Sequence, residues 1–241
     1  MDCLLLRFDA PLMSFGGVCV DNLNQTDLFP GRSMITGLIG NALGWDHADT
    51  DRLRDLQERL RVAARWDADP RRIIDYQTVD LGQEHLVDTG WTTRGMVEER
   101  GAGKATRETH IRYRHYLANG VLTAAVTLVG EGYPALGDIL AALRHPARPL
   151  FIGRKACLPA TPIFLRKVEA ASLLEALRNE PLADIGPRAR PPLVTARWPA
   201  EEGHGDGPHA VAGDVYDRRD WPLNMPRGLH RYFEGPLEIT S

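Results

Sequence analysis

"THIRYRHYLANGVLTAAVTLV", residues 109–129, is the stretch whose reading decides the fold. Two runs rich in β-branched and aromatic residues flank Asn119-Gly120. That dipeptide favours a tight two-residue turn, because both residues tolerate positive φ. The pattern predicts an antiparallel hairpin whose second run is apolar enough to be buried. Downstream, "YPALGDILAALRH" (133–145) has helical period and "RPLFIG" (148–153) reads as a short strand. Upstream, "RVAARWD" (61–67) and "RRIIDYQTV" (71–79) read as strands around Asp69-Pro70.

Nearer the start, "CLLLRFDAP" (3–11) reads as a buried strand, followed by a long Gly-, Asn- and Asp-rich loop. "LFPGRSMITGLIGNALGW" (28–45) and "DTDRLRDLQERLRVAA" (49–64) have the period of helices, the second with a Leu53, Leu56, Leu60 stripe. The order β, α, α, β, β, β, β, α, β predicts an α+β fold. Its expected form is an elaborated ferredoxin-like (RRM-like) antiparallel sheet with helices on one face and the other face free. After a helix at "EAASLLEALRN" (169–179) the composition changes, and nine of the 17 prolines fall at or after Pro181. Residues 1–180 are therefore expected as the RRM-like domain, and 181–241 as a loop-rich C-terminal subdomain folded against it.

At 241 residues and 43% hydrophobic, the chain can bury a real core. Its 29 Lys and Arg against 32 Asp and Glu give a net charge of −3, so any nucleic-acid site must be a local patch. Cys3, Cys19 and Cys157 are scattered and fit free thiols better than a disulfide framework or zinc site. With no apolar run long enough for a membrane or a leader, the expectation is a cytoplasmic protein.

Two basic stretches suggest anion binding. From Arg144 to Lys167 six cations (Arg144, Arg148, Arg154, Lys155, Arg166, Lys167) occur with no Asp or Glu. At their centre Gly153 would let backbone approach a phosphate, with Arg154 and Lys155 beside it. From Trp91 to Tyr116, Arg94, Arg100, Lys104, Arg107, Arg112 and Arg114 mix with Trp91, Tyr113 and Tyr116. Cations interleaved with aromatics suit single-stranded nucleic acid. The plainer readings are a solvated surface for the first stretch and ordinary strand tyrosines, one facing the core, for the second. "PGRS" (30–33) offers a third candidate, a phosphate at a helix N-terminus with Ser33 as cap and Arg32 adding charge. Gly37, Gly40 and Gly44 share one face of that helix, which suits close approach of another backbone.

Catalytic signals are poor. No nucleophile elbow, phosphate-loop motif or HExxH occurs, and "HGDGPH" (204–209) lacks thiolate support for a metal. His110, Tyr113 and His115 near Lys104 could cut RNA without metal, but His110 and His115 point to opposite faces of a strand.

Five segments, "LRFDAPLMSFG", "FPGRSMITGLIGNALG", "DYQTV", "THIRYRHYL" and "LFIGRKACLPATPIF", occur in that order. Together they resemble the CasD subunits of type I-E CRISPR Cascade complexes, of the repeat-associated mysterious protein superfamily. The likeness runs to about Phe164 and continues more weakly beyond. It implies a non-catalytic, cofactor-free subunit that caps the crRNA by holding its 5′ handle. Such a subunit contacts the large PAM-recognising subunit and the nearest backbone subunit, with target DNA nearby in the assembled complex. It also implies a protruding thumb at about 80–108 and a glycine-rich loop around Gly153. Where the family often has Trp, this chain has Phe15. The RNA-binding residues expected on this reading are Arg32, Ser33, Arg94, Lys104, Arg107, Arg112, Tyr113, Gly153, Arg154 and Lys155. Type I-C relatives cut precursor RNA themselves, so the competing expectation is a metal-independent endoribonuclease acting on CRISPR repeat RNA.

Overall fold

A computed structural model describes residues 1–17, 23–80, 109–186, 193–204 and 209–240. The chain begins with β1 (Asp2–Asp9), β2 (Leu12–Met13) and β3 (Leu23–Asn24). Helices α1 (Arg32–Ala42) and α2 (Thr50–Arg59) lead to β4 (Leu60–Ala68), β5 (Arg71–Asp80), β6 (Thr109–Ala118) and β7 (Val121–Leu128). Next come α3 (Leu136–Arg144), β8 (Phe164–Glu169) and α4 (Leu173–Asn179). The remainder carries β9 (Leu193–Pro199), β10 (Val211–Val215), β11 (Arg219–Asp220), β12 (Met225–Pro226) and β13 (His230–Glu238).

Seven strands form one antiparallel sheet in the order β10-β13-β9-β4-β7-β1-β8. Both faces of its central strands are apolar, so both must be covered. Leu4, Leu6, Phe8, Val62, Trp66 and Leu122 pack with α1, α2 and α3. Cys3, Leu5, Ala63 and Ala125 point the other way and pack with α4, through Leu173, Leu174 and Leu177. The expectation of helices on one face and a free second face is thus corrected. α4 covers the second face, because β1 and β7 are nearly continuous apolar runs rather than alternating ones.

Asn119-Gly120 does not close a hairpin. β7 pairs with β4 and β6 pairs with β5, in registers that end at Ala68↔Val121 and resume at Arg71↔Ala118. The two chain segments therefore run side by side as one long ribbon, which turns a corner at Asp69-Pro70 and Asn119-Gly120. Beyond the corner β5 and β6 form a second sheet with β2 and β3. A type I′ turn, the two-residue form that Asn-Gly favours, needs positive φ at both turn positions. Here Asn119 has φ 56°, while Gly120 lies outside that region. Gly120 serves close packing: a Cβ there would lie 2.7 Å from Trp66 Cζ3 and 2.8 Å from Pro70 Cβ. The connection at the ribbon's far end, 81–108, coincides with the expected thumb and lies outside the described residues.

Two more expectations change. Residues 148–153 form no strand, and the fourth strand of the core is β8 instead. The stretch after Pro181 is not merely irregular, for it supplies β9, β10 and β13 to the main sheet.

The corner is held by Asp67, the extra residue in the irregularity between Trp66 and Ala68. Its buried carboxylate accepts from Arg65 Nε (2.8 Å), Thr123 Oγ1 (2.8 Å) and the Ala183 amide (3.0 Å), with Arg7 3.6 Å away. Arg65, equally buried, also donates to the carbonyls of Leu177 and Pro181. Removing one partner of such a pair strands the other charge in the interior. Asp67→Ala should therefore lose about 3–5 kcal/mol of stability in urea denaturation. An unchanged midpoint would show that the knot contributes nothing.

Candidate nucleic-acid interface

Helix α1 starts at Arg32 with Gly31 as its N-cap, in extended conformation and without a side-chain cap. Ser33 therefore lies in the first turn, not at the cap. Two of the free amides at this end are already used. Arg32 N donates to Asp217 Oδ2 (3.0 Å) and Ser33 N to the Asp217 carbonyl (2.9 Å). Tyr232 Oη donates to the same carboxylate (2.6 Å), and His230 Nδ1 is hydrogen-bonded to it. Burial pushes the Asp217 carboxyl up, but hydrogen bonds from His230, the Arg32 amide and Tyr232 outweigh it and hold the group below its usual range. An internal carboxylate thus occupies the position expected for a phosphate. The Arg32 side chain is buried, 3.9 Å from Glu201, and is not presented to a ligand.

The helix glycines have separate reasons. Gly40 makes room for α2, since a Cβ would lie 2.8 Å from Leu53 Cδ2. Gly44 takes φ +79° just past the helix end. Gly37 has neither constraint: a Cβ there would only touch Trp221 Cη2, 3.9 Å away.

Gly153 is required by its backbone. It has φ +84°, and a Cβ would lie 1.5 Å from the Ser14 carbonyl oxygen. Its loop is laced by Ser14 N to Ile152 O (3.2 Å), Ile152 N to Cys157 O (2.7 Å) and Cys157 N to Arg154 O (2.8 Å). Arg154 turns inward: it donates to the carbonyls of His115 (2.9 Å) and Asn24 (2.9 Å) and lies over the Tyr116 ring. It staples the loop to β6 and β3.

The basic strip is largely spent in the same way. Arg148 holds the Trp45 and Gly44 carbonyls and Asp46, and Arg166 pairs with Glu180. Lys167 pairs with Asp2, and Arg144 lies over Phe164. Lys155 is exposed and has no ion-pair partner among the described residues.

The space in front of these groups is a cleft of about 890 Å³. One wall is α1, with Ser33, Gly37 and Asn41; another is the loop carrying Gly153, Arg154 and Lys155. The third wall comes from the C-terminal part, with Tyr216, Arg218 and Trp221. Gln57 anchors that wall by accepting from Arg219 N (3.0 Å) and donating to Arg219 O (3.1 Å). Four expected residues, Ser33, Gly153, Arg154 and Lys155, therefore meet at one cleft. Arg112 and Tyr113 lie elsewhere, on β6 opposite Gln77 and Tyr76, and the two tyrosine rings are 5.4 Å apart. Arg94, Lys104 and Arg107 lie outside the described residues. Tyr116 is a core residue, and Phe15 is buried between Phe8 and Trp66. The C-terminal wall escaped the sequence reading; its signal was the pair of arginines before Trp221 in a proline-rich stretch.

The family model for CRISPR-associated protein (Cas_Cas5) matches residues 3–233. The chain is 30% identical over 184 residues to the CRISPR system Cascade subunit CasD of Escherichia coli (strain K12), covering 73% of this chain and 75% of that one. Among solved structures, a chain of a CRISPR RNA-guided surveillance complex matches with TM-score 0.70 at 23% identity, covering 98% and 90% of the two chains. A Cas protein crystal structure matches with TM-score 0.62 at 24% identity, covering 98% and 94%.

Arg154 and Lys155 should behave oppositely. Lys155→Ala should weaken RNA binding and flatten its salt dependence by about 0.7 of a unit of slope, the value for one single-strand phosphate contact. Arg154→Lys keeps the charge but loses the two-carbonyl grip, so it should weaken binding with the slope unchanged. Filter binding across a salt series measures both.

Proposed function

The chain belongs to the Cas5 family of CRISPR-associated proteins, and from that premise we propose that it binds and caps the 5′ handle of a crRNA within a type I-E Cascade complex. The observation that carries this reading is the cleft, where the Gly37 face of α1, the Gly153–Lys155 loop and the C-terminal wall converge. With no side chain at Gly37, a nucleic-acid backbone can come close to α1 at that wall. Lys155 supplies a phosphate contact at the mouth. The β5–β6 ribbon is the base from which the expected thumb would project. The strand order β4-β7-β1-β8, with helices between β1 and β4 and between β7 and β8, is the ferredoxin-like core on which these parts are hung.

In the assembled complex the subunit bridges the large subunit and the backbone subunits, near target DNA, and guide pairing rather than this chain selects the target. No helix among the described residues is long and apolar enough to cross a membrane. The role is non-catalytic. His110 and Tyr113, the residues best suited to metal-free cleavage, lie on opposite faces of β6 by strand alternation.

The test is binding of the purified chain to labelled handle RNA in EDTA, against scrambled RNA of equal length. Handle RNA should bind tighter by about 10-fold or more, the discrimination available from one or two well-read bases, and should stay intact. Equal binding would overturn handle capture. Site-specific cleavage abolished by Tyr113→Phe or His110→Ala would establish the endoribonuclease instead.

A further inference from the structure

We propose that the outer edge of β5 pairs with the same edge of a second copy of this chain, giving a two-fold dimer with two antiparallel β5 strands at its centre. The proposal does not depend on crRNA binding. Among the described residues β5 pairs with β6 alone, so its other side presents strand amides and carbonyls that no ladder uses. Such an edge is a template for another strand, and folded proteins usually blunt it. The two edges of the main sheet are blunted. β10 is five residues long with Gly213 at its centre, and β8 carries Arg166 and Lys167 and meets β1 through a register shift. β5 has none of these guards. It is ten residues long, contains no Pro or Lys, and pairs with β6 in one unbroken register. It is also apolar towards solvent, with Ile74 60% exposed, Tyr76 55% and Val79 47%.

The order of residues along the edge selects a second copy as the partner. Residues opposite each other across two strands share a face, so a two-fold dimer that continues the sheet sets one residue opposite itself on the axis. With Tyr76 on the axis, Arg72 lies opposite Asp80 at both ends of the pairing. Ile73 then meets Val79, Ile74 meets Thr78 and Asp75 meets Gln77, and no like charges oppose each other. The neighbouring registers are worse: Asp75 on the axis sets two carboxylates against each other, and Gln77 on the axis brings no opposite charges together. Opposite charges directly across a strand pair stabilise it, and like charges destabilise it. One face of the dimer gathers Ile74, Tyr76 and Thr78 from both copies, beside Tyr113, whose ring lies 5.4 Å from that of Tyr76. Pairing therefore removes apolar surface from water as well as completing a ladder.

The test uses the full-length chain, free of RNA, in sedimentation equilibrium over a dilution series. The wild type should pass reversibly between one and two chain masses. Arg72→Asp sets carboxylate against carboxylate at both ends and should weaken dimerisation by about tenfold or more. Combining Arg72→Asp with Asp80→Arg rebuilds both pairs and should restore it. Mild oxidation reads the register. Tyr76→Cys sets two thiols opposite each other on the axis and should give a disulfide-linked dimer. Ile74→Cys sets them roughly 13 Å apart along the strands and should not. Wild type treated alike gives the background from the native thiols. All the altered positions are exposed, so the fold is kept. A chain that stays monomeric at every concentration, its edge covered by its own residues or kept for a different protein, would overturn the proposal. So would a dimer indifferent to Arg72→Asp or not restored by the charge swap, or equal cross-linking from the two cysteine variants.

Discussion

A single buried carboxylate, that of Asp67, holds the point where the main sheet becomes a ribbon. It is the extra residue of the β4 irregularity, so its side chain enters the interior instead of the ladder. There it collects donors from β4, β7 and the segment after α4, and lies beside Arg7 of β1. A charge this deep is tolerable only when its lone pairs are filled. Just beyond it Trp66 and Pro70 close on Gly120, where no side chain fits. The knot and the glycine together set the corner, and the corner sends β5 and β6 away from the sheet. Everything that overhangs the cleft from that side follows from this bend, including the β6 carbonyl that Arg154 grips.

Local period made much of this legible. β1 and β7 are dense apolar runs, and α1, α2 and α3 bury the stripes their spacing marks. Asn119-Gly120 misled because its preference for a tight turn is local, while the pairing of β6 and β7 is decided by longer-range partners. The dipeptide was used for its small volume and for one positive φ, not for reversal. "RPLFIG" failed for a related reason. Only Ile152 is buried, with Leu150 and Phe151 half-buried, in a loop fastened by Ile152 N to Cys157 O, so no ladder is needed. The C-terminal strands were hidden by proline. Pro199 and Pro236 sit within β9 and β13, where sequence reasoning expects none in a paired strand.

The site was half legible, and the division is physical. Glycines report where backbone has no room or takes positive φ, so Gly153 could be found from sequence alone. Arginines do not report where they point. A guanidinium has five donors on a planar fork, and backbone carbonyls are as suitable a target as phosphates. Arg148 and Arg154 were drawn inward on that account, and a count of positive charges could not have told them from Lys155.

The cleft itself joins segments that the sequence keeps far apart: Ser14 after β2, Gly37 in α1, Lys155 before β8 and Trp221 in the turn between β11 and β12. Asp217 is what closes it. By taking the Arg32 and Ser33 amides of α1 it occupies one candidate anion site, and by the same bonds it brings the C-terminal wall across from the Gly153 loop. Its carboxyl is held below the usual carboxylate range, so the anchor is at full strength above about pH 4, the unfolded value. It weakens only as pH falls through the lowered folded value. The wall is therefore a fixed part of the cleft under neutral conditions, and Trp221 stands in it as preformed surface.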